Sequence, residues 1–186
     1  MRAFVALDLP EEAVQPLTRL QAGLSVGRIV PEENLHLTLA FLGDVPEPQV
    51  AELAEALGGL DLPPVTLTLQ GLDMFGGRRP SVLFAAAAGE GLERLHDKVM
   101  RAAREAGMTL PRERFRPHVT LARFPREMTR RDQDRLGEFL MLNGRFLLPP
   151  FAAPAITLYR SHLRHDGAIH EPLAQFLLPP QDQFVP

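Results

Sequence analysis

A pentapeptide recurs in this chain, and the recurrence limits the folds open to it. His36-Leu37-Thr38-Leu39-Ala40 returns as His118-Val119-Thr120-Leu121-Ala122, eighty-two positions later. Six histidines and eight threonines scattered over 186 residues would give well under one His-x-Thr by chance. Two occur, each followed by Leu-Ala inside an apolar run. Runs of that kind read as β-strands. Successive side chains of a strand alternate faces. Each copy therefore shows one imidazole and one hydroxyl on one side, roughly 6–7 Å apart along the backbone. A duplicated chain whose halves face each other would bring two imidazoles and two hydroxyls to one cleft.

The remaining pattern supplies a frame for such a cleft. Strands are expected at residues 2–7, 35–42, 65–69, 82–88, 117–124, 155–160 and 173–178, from alternation or short apolar runs. Helices are expected at 11–24, 46–57, 91–106 and 131–142, with Pro16 kinking or restarting the first, Gly107 closing the third and Thr129 capping the fourth. The order is that of an α+β protein. No interdomain linker is visible, so residues 1–186 read as one two-lobed domain.

Composition removes several classes of function. The chain has no cysteine, and so no disulfide, thiolate nucleophile or Cys-ligated metal. It has no apolar run long enough to span a membrane, and Asp8 falls too early for a signal peptide's apolar region. A cytoplasmic protein is expected. Walker, Rossmann and Gly-x-Ser-x-Gly signatures are absent from the sequence. The net charge of −3 conceals a basic segment: residues 112–131 carry seven arginines against Glu113 and Glu127, around the second motif. That segment suits an anionic ligand such as a phosphate backbone; a solvated arginine-rich surface is the alternative.

Histidine exchanges protons near neutral pH. With one imidazole on either side of a reacting centre, one can take a proton from the nucleophile while the other gives one to the leaving oxygen. Thr38 and Thr120 can donate hydrogen bonds to non-bridging phosphoryl oxygens. Arg123 lies five residues after His118, an odd spacing that sends it to the opposite face unless the strand bulges or ends there. No Asp, Glu or Cys stands at ligand spacing within either motif, so neither reads as a metal site. His96 reads as a surface or boundary residue, and His162, His165 and His170 as members of a turn between the last two strands. Phe41, Phe84 and Tyr159 read as core residues, with stacking on a base as the alternative.

At these residues the chain resembles the two-histidine phosphoesterase superfamily, and more narrowly the RNA 2′,3′-cyclic phosphodiesterases also called 2′-5′ RNA ligases. The resemblance rests on residues 2–7, 33–43 and 115–123, with a weaker match at Leu158-Tyr159-Arg160-Ser161 and Gly167-Ala168. It implies a bilobal α+β module, two antiparallel sheets with outer helices around a pseudo-twofold cleft. It implies His36 and His118 as the catalytic pair, here assigned as general acid and general base, with Thr38 and Thr120 anchoring the phosphate and Arg123 contacting the substrate. The implied reaction opens an RNA 2′,3′-cyclic phosphate to a 2′-phosphate without cofactor, metal or nucleotide, and in reverse joins a 2′-5′ linkage. RNA ends, such as tRNA halves, would be the partner of a monomer needing no protein partner. The family usually places a tyrosine shortly after the tail Gly-Ala, where this chain has Ile169-His170. A non-catalytic module holding a nucleotide or RNA end in the same cleft is the competing reading.

Overall fold

The computed structural model describes residues 1–110, 114–165 and 167–180. Arg112 and Glu113 of the basic segment, and the end of the Pro-rich tail, lie outside the described residues. The chain runs β1 (Arg2–Asp8), α1 (Glu11–Ala22), β2 (Arg28–Ile29), a 3₁₀ turn (Glu32–Asn34), β3 (His36–Asp44), α2 (Glu47–Gly58), β4 (Thr66–Phe75), β5 (Val82–Glu90), α3 (Leu92–Glu105), β6 (His118–Arg123), α4 (Arg130–Asn143), β7 (Leu147–Ala152), β8 (Ala155–Arg164) and β9 (Gly167–Leu177).

The strands form one antiparallel sheet in the order β7-β4-β5-β6-β3-β1-β8-β9, with β2 alongside β6. The two motif strands are its central neighbours, joined by the single pair Leu37↔Val119. This corrects the expectation of two sheets. Leu37 and Val119 are both fully buried, and leaving either strand with a free edge at that point would expose a side chain worth about 1.5–3 kcal/mol of burial. The halves therefore abut at this one pair.

One face of the sheet carries the aliphatic residues of the strands. Val5, Leu7, Leu37, Leu39, Ala85, Val119 and Leu121 belong to one core with Leu53 and Leu57 of α2 and Leu95 and Val99 of α3. A smaller cluster sets Leu136 and Phe139 of α4 against Leu83 and Ala122. The helix ends follow their local sequence. The Thr129 hydroxyl accepts from Asp132 N–H at 3.1 Å, as a capping residue does. Gly107, at φ +79°, closes α3 with Met108 N–H on Ala103 O and Gly107 N–H on Arg104 O, the paired bonds of a left-handed glycine stop. α1 runs through Pro16 without a break. The carbonyl left without its N–H partner belongs to Glu12, an exposed residue that water reaches. Among the described residues no helix is long and apolar enough to cross a membrane.

Candidate active site

With Leu37 and Val119 sunk into the core, the two-residue period turns His36, Thr38, His118 and Thr120 to the other face, where all four are partly exposed. Carrying the antiparallel register one step from Leu37↔Val119 sets His36 beside Thr120 and Thr38 beside His118. Each half thus offers its imidazole next to the other half's hydroxyl.

Each motif strand then bulges at the same place. β1 pairs Ala6 with Thr38 but Val5 with Ala40, leaving Leu39 extra. β5 pairs Phe84 with Thr120 but Leu83 with Ala122, leaving Leu121 extra. Leu39 and Ala40 are both buried, as are Leu121 and Ala122, so one residue of alternation is absorbed and the next side chain returns to the site face. In the second half that side chain is Arg123, which meets the bulge requirement stated from its spacing. In the first half it is Phe41, 62% exposed. The expectation that Phe41 is a core residue is thereby corrected: strict alternation would have buried it, and the bulge brings it out. Phe84 is buried as expected.

His118 Nδ1–H donates to Arg116 O at 2.6 Å, which fixes the neutral tautomer and leaves the Nε2 lone pair free. At His36 the backbone of Asn34 favours the protonated form, and that influence is outweighed. Burial first, then the charges of His170, Arg123 and His118, press His36 down to about 4. Burial also lowers His118, with Arg116 and Arg123 adding to it against the Arg116 carbonyl bond. Arg123 faces Arg28 across the β2–β6 pair, and burial together with Arg28 and Arg2 lowers its own pKa. The free cleft is short of negative charge, a condition that an anion relieves.

Aromatic rings wall both sides. His36 stacks on Phe4 at 5.0 Å, and Phe4 stacks on Tyr159 at 5.2 Å. His118 packs against Phe75 at 5.0 Å and Phe84 at 4.9 Å, with the Arg116 guanidinium 4.9 Å over Phe75. Beside His118, Phe84, Ala86, Phe115, Arg116 and Asp73 line a cavity of about 450 Å³. His96 is a boundary residue, as expected. Its ring lies 3.9 Å from that of Phe115, three residues before His118.

Asp8, the cross-strand partner of His36, accepts from the Thr157 hydroxyl at 2.7 Å, the Tyr159 hydroxyl at 2.9 Å and Gln175 Nε2 at 2.9 Å. It binds β8 and β9 to β1 beside His36. Burial and Asp8 together raise the Tyr159 phenol to about 12, so it stays protonated and keeps donating.

His170 is the site residue that sequence reasoning misses. It lies in β9 opposite Ser161, not in a turn, and His162 lies in β8 bonded to Glu171 at 2.7 Å. The His170 ring stands edge-on to His36 at 5.4 Å and to Phe4 at 4.8 Å. Its Nδ1 is buried with no hydrogen-bond partner among the described residues. The departure at Ile169-His170, shortly after the tail Gly-Ala, is the signal in the sequence that could have found it.

A family model described as LigT-like phosphoesterase matches residues 7–84. A Geobacillus stearothermophilus protein named RNA 2′,3′-cyclic phosphodiesterase is 38% identical over 128 residues, 64% of this chain but only 41% of that protein's length. One of the same name from Aeropyrum pernix is 32% identical over 149 residues, 78% of this chain and 83% of the relative. The crystal structure of E. coli LigT complexed with 3′-AMP superposes with a TM-score of 0.74 at 28% identity, covering 96% of this chain and 98% of that one. The twin motifs, their shared sheet and these likenesses agree: the chain belongs to the LigT-like phosphoesterase family of RNA 2′,3′-cyclic phosphodiesterases.

Proposed function

We propose that this phosphoesterase opens the 2′,3′-cyclic phosphate at an RNA end to a 2′-phosphate by two-histidine acid–base catalysis. The cyclic phosphate sits between the motif strands. Thr38 and Thr120 donate to its non-bridging oxygens, and Arg123 faces their charge. The Nε2 of His118 takes a proton from water as the water oxygen bonds to phosphorus. The bond from phosphorus to the 3′-oxygen breaks, and His36 protonates that oxygen. The product carries a 3′-hydroxyl and a 2′-phosphate monoester, and solvent resets the two rings. A 5′-hydroxyl RNA end in place of water would form a 2′-5′ linkage by the same steps.

The observation that carries this reading is the pair of imidazoles on strands that meet at Leu37 and Val119, with His118 Nδ1–H held by Arg116 O and its Nε2 left to accept. The assignment of His36 as acid has a condition attached. Its pKa of about 4 in the free protein leaves it neutral at pH 7, so the phosphate anion itself must restore the proton. His118, whose free Nε2 is an acceptor, is ready as the base without help.

The test is to incubate the protein with RNA ending in a 2′,3′-cyclic phosphate in the presence of EDTA and map the product. A 2′-phosphate is expected, with the rate reduced by about 10²–10⁴ in His36→Ala and in His118→Ala. No opening by the wild type, or full activity in either variant, refutes the proposal. Tight mononucleotide binding without turnover would favour the binding-module reading instead.

A further inference from the structure

Three arginines that the cleft does not use, Arg78, Arg79 and Arg126, gather beyond the ends of β5 and β6. Val82 pairs with Arg123, and Phe124 N–H donates to Ser81 O at 2.9 Å. The loop at 76–81 and the segment after β6 therefore leave the sheet side by side. Between them lies a cavity of about 350 Å³ lined by Arg78, Arg79, Arg126, Glu127, Met128 and Gln133, with Pro80 at its edge. All three arginines are exposed, and none makes an ion pair among the described residues. Glu127 is the one acid in the lining. Three like charges around one concavity repel, and an anion seated among them removes the repulsion.

The loop that presents Arg78 and Arg79 is shaped in advance. Gly76 sits at φ +101°, where an added Cβ would meet the Arg79 carbonyl oxygen at 2.1 Å. Arg79 N–H donates back to Gly76 O at 3.0 Å, and Ser81 N–H to Phe75 O at 2.8 Å. The cavity begins just past Arg123, and His118 lies five residues back along β6. At roughly 3.3 Å per residue that is about 17 Å. This is out of reach of the reacting nucleotide's own phosphate and within reach of phosphodiesters further along the same strand.

We infer that the Arg78–Arg79–Arg126 pocket binds the phosphodiester backbone of the RNA leading to the reacting end, a second anchor that does not read sequence. The inference rests on the proposal that the cleft acts on RNA cyclic phosphates. It makes the enzyme selective for RNA ends over free cyclic nucleotides.

The test compares the wild type with the triple variant R78A/R79A/R126A in two assays. The first is affinity for a fluorescein-labelled oligoribonucleotide of about eight residues ending in a 2′-phosphate, at 50 and 200 mM salt. Each phosphate contact on a single strand contributes a salt exponent of about 0.7. Across that fourfold change in salt, three contacts make the wild-type loss of affinity about 20-fold larger than the variant's. The lysine triple R78K/R79K/R126K keeps the wild-type slope. The second assay is opening of a nucleoside 2′,3′-cyclic phosphate, expected to be unchanged in the variant. Equal oligonucleotide affinity and salt slope in wild type and alanine triple would overturn this inference while leaving the parent proposal standing. A wild type that opens no cyclic phosphate would refute the parent proposal and this inference together.

Discussion

Replacing His36 by glutamine should flatten the acid limb of this protein's stability. The folded protein holds His36 at about 4 against an ordinary value of 6.5, chiefly because the protein around the partly exposed ring takes most of its water away. At roughly 1.4 kcal/mol per pH unit, the native state prefers the neutral ring by about 3 kcal/mol. The sign follows from proton counting. Between pH 6.5 and 4 the unfolded chain binds a proton on His36 that the native protein refuses, so stability falls as pH falls through that window. From pH 7 to pH 4.5 the loss from this one group is about 2 kcal/mol. Glutamine does not titrate, and it keeps a hydrogen-bonding side chain of similar length. Urea unfolding at pH 7 and pH 4.5, analysed by linear extrapolation, should show the wild type losing about 2 kcal/mol more than His36→Gln. Parallel losses in the two proteins would show that His36 is not held neutral by its surroundings, and the electrostatic description of the cleft would be wrong.

Three further outcomes are expected. Thr120→Val removes one phosphate donor at constant volume and should lower kcat by about 10²–10³, the usual cost of one donor to a developing oxyanion, with no change in far-ultraviolet circular dichroism. Phe41→Ala should raise KM for nucleoside 2′,3′-cyclic phosphates about 5- to 150-fold, since stacking a base on an aromatic ring is worth about 1–3 kcal/mol. An unaltered KM would return Phe41 to the status of an ordinary exposed residue. The pH profile of kcat/KM should be bell-shaped and centred on the acid side of neutrality, because both His36 and His118 are lowered from 6.5 in the free protein. A maximum above pH 8 would contradict this.

The motif strands, the four helices and the caps at Gly107 and Thr129 were legible because each is set by local pattern. What the sequence did not show is what depends on partners. Leu39 and Leu121 become extra residues only through the register of β1 and β5, and no local signal says where a neighbouring strand will slip. Phe41 was misplaced for that reason, while Arg123 was placed only on the condition of a bulge. β7 was missed because Pro149 and Pro150 look like strand breakers. It forms at the sheet edge, and its register with β4 slips between Leu148 and Phe151, so that both prolines fall in a bulge, where proline is tolerated. His170 was read as a turn residue because the alternation marking the last two strands is short. Pairing carries their hairpin out to Arg164 and Gly167. The single sheet was hidden for a related reason. Whether two duplicated halves share an edge is decided at Leu37 and Val119, whose aliphatic character fits either arrangement.

The central claim is that His36 and His118 grip one phosphate between them. Imidazole nitrogen resonances of the selectively labelled protein, followed during titration with a 2′-nucleotide, test it directly. The account predicts that both rings shift together, with one dissociation constant and one ligand bound, and that Thr38→Val/Thr120→Val weakens both responses equally. A ligand that perturbs one ring alone, or two rings with separate constants, would contradict it.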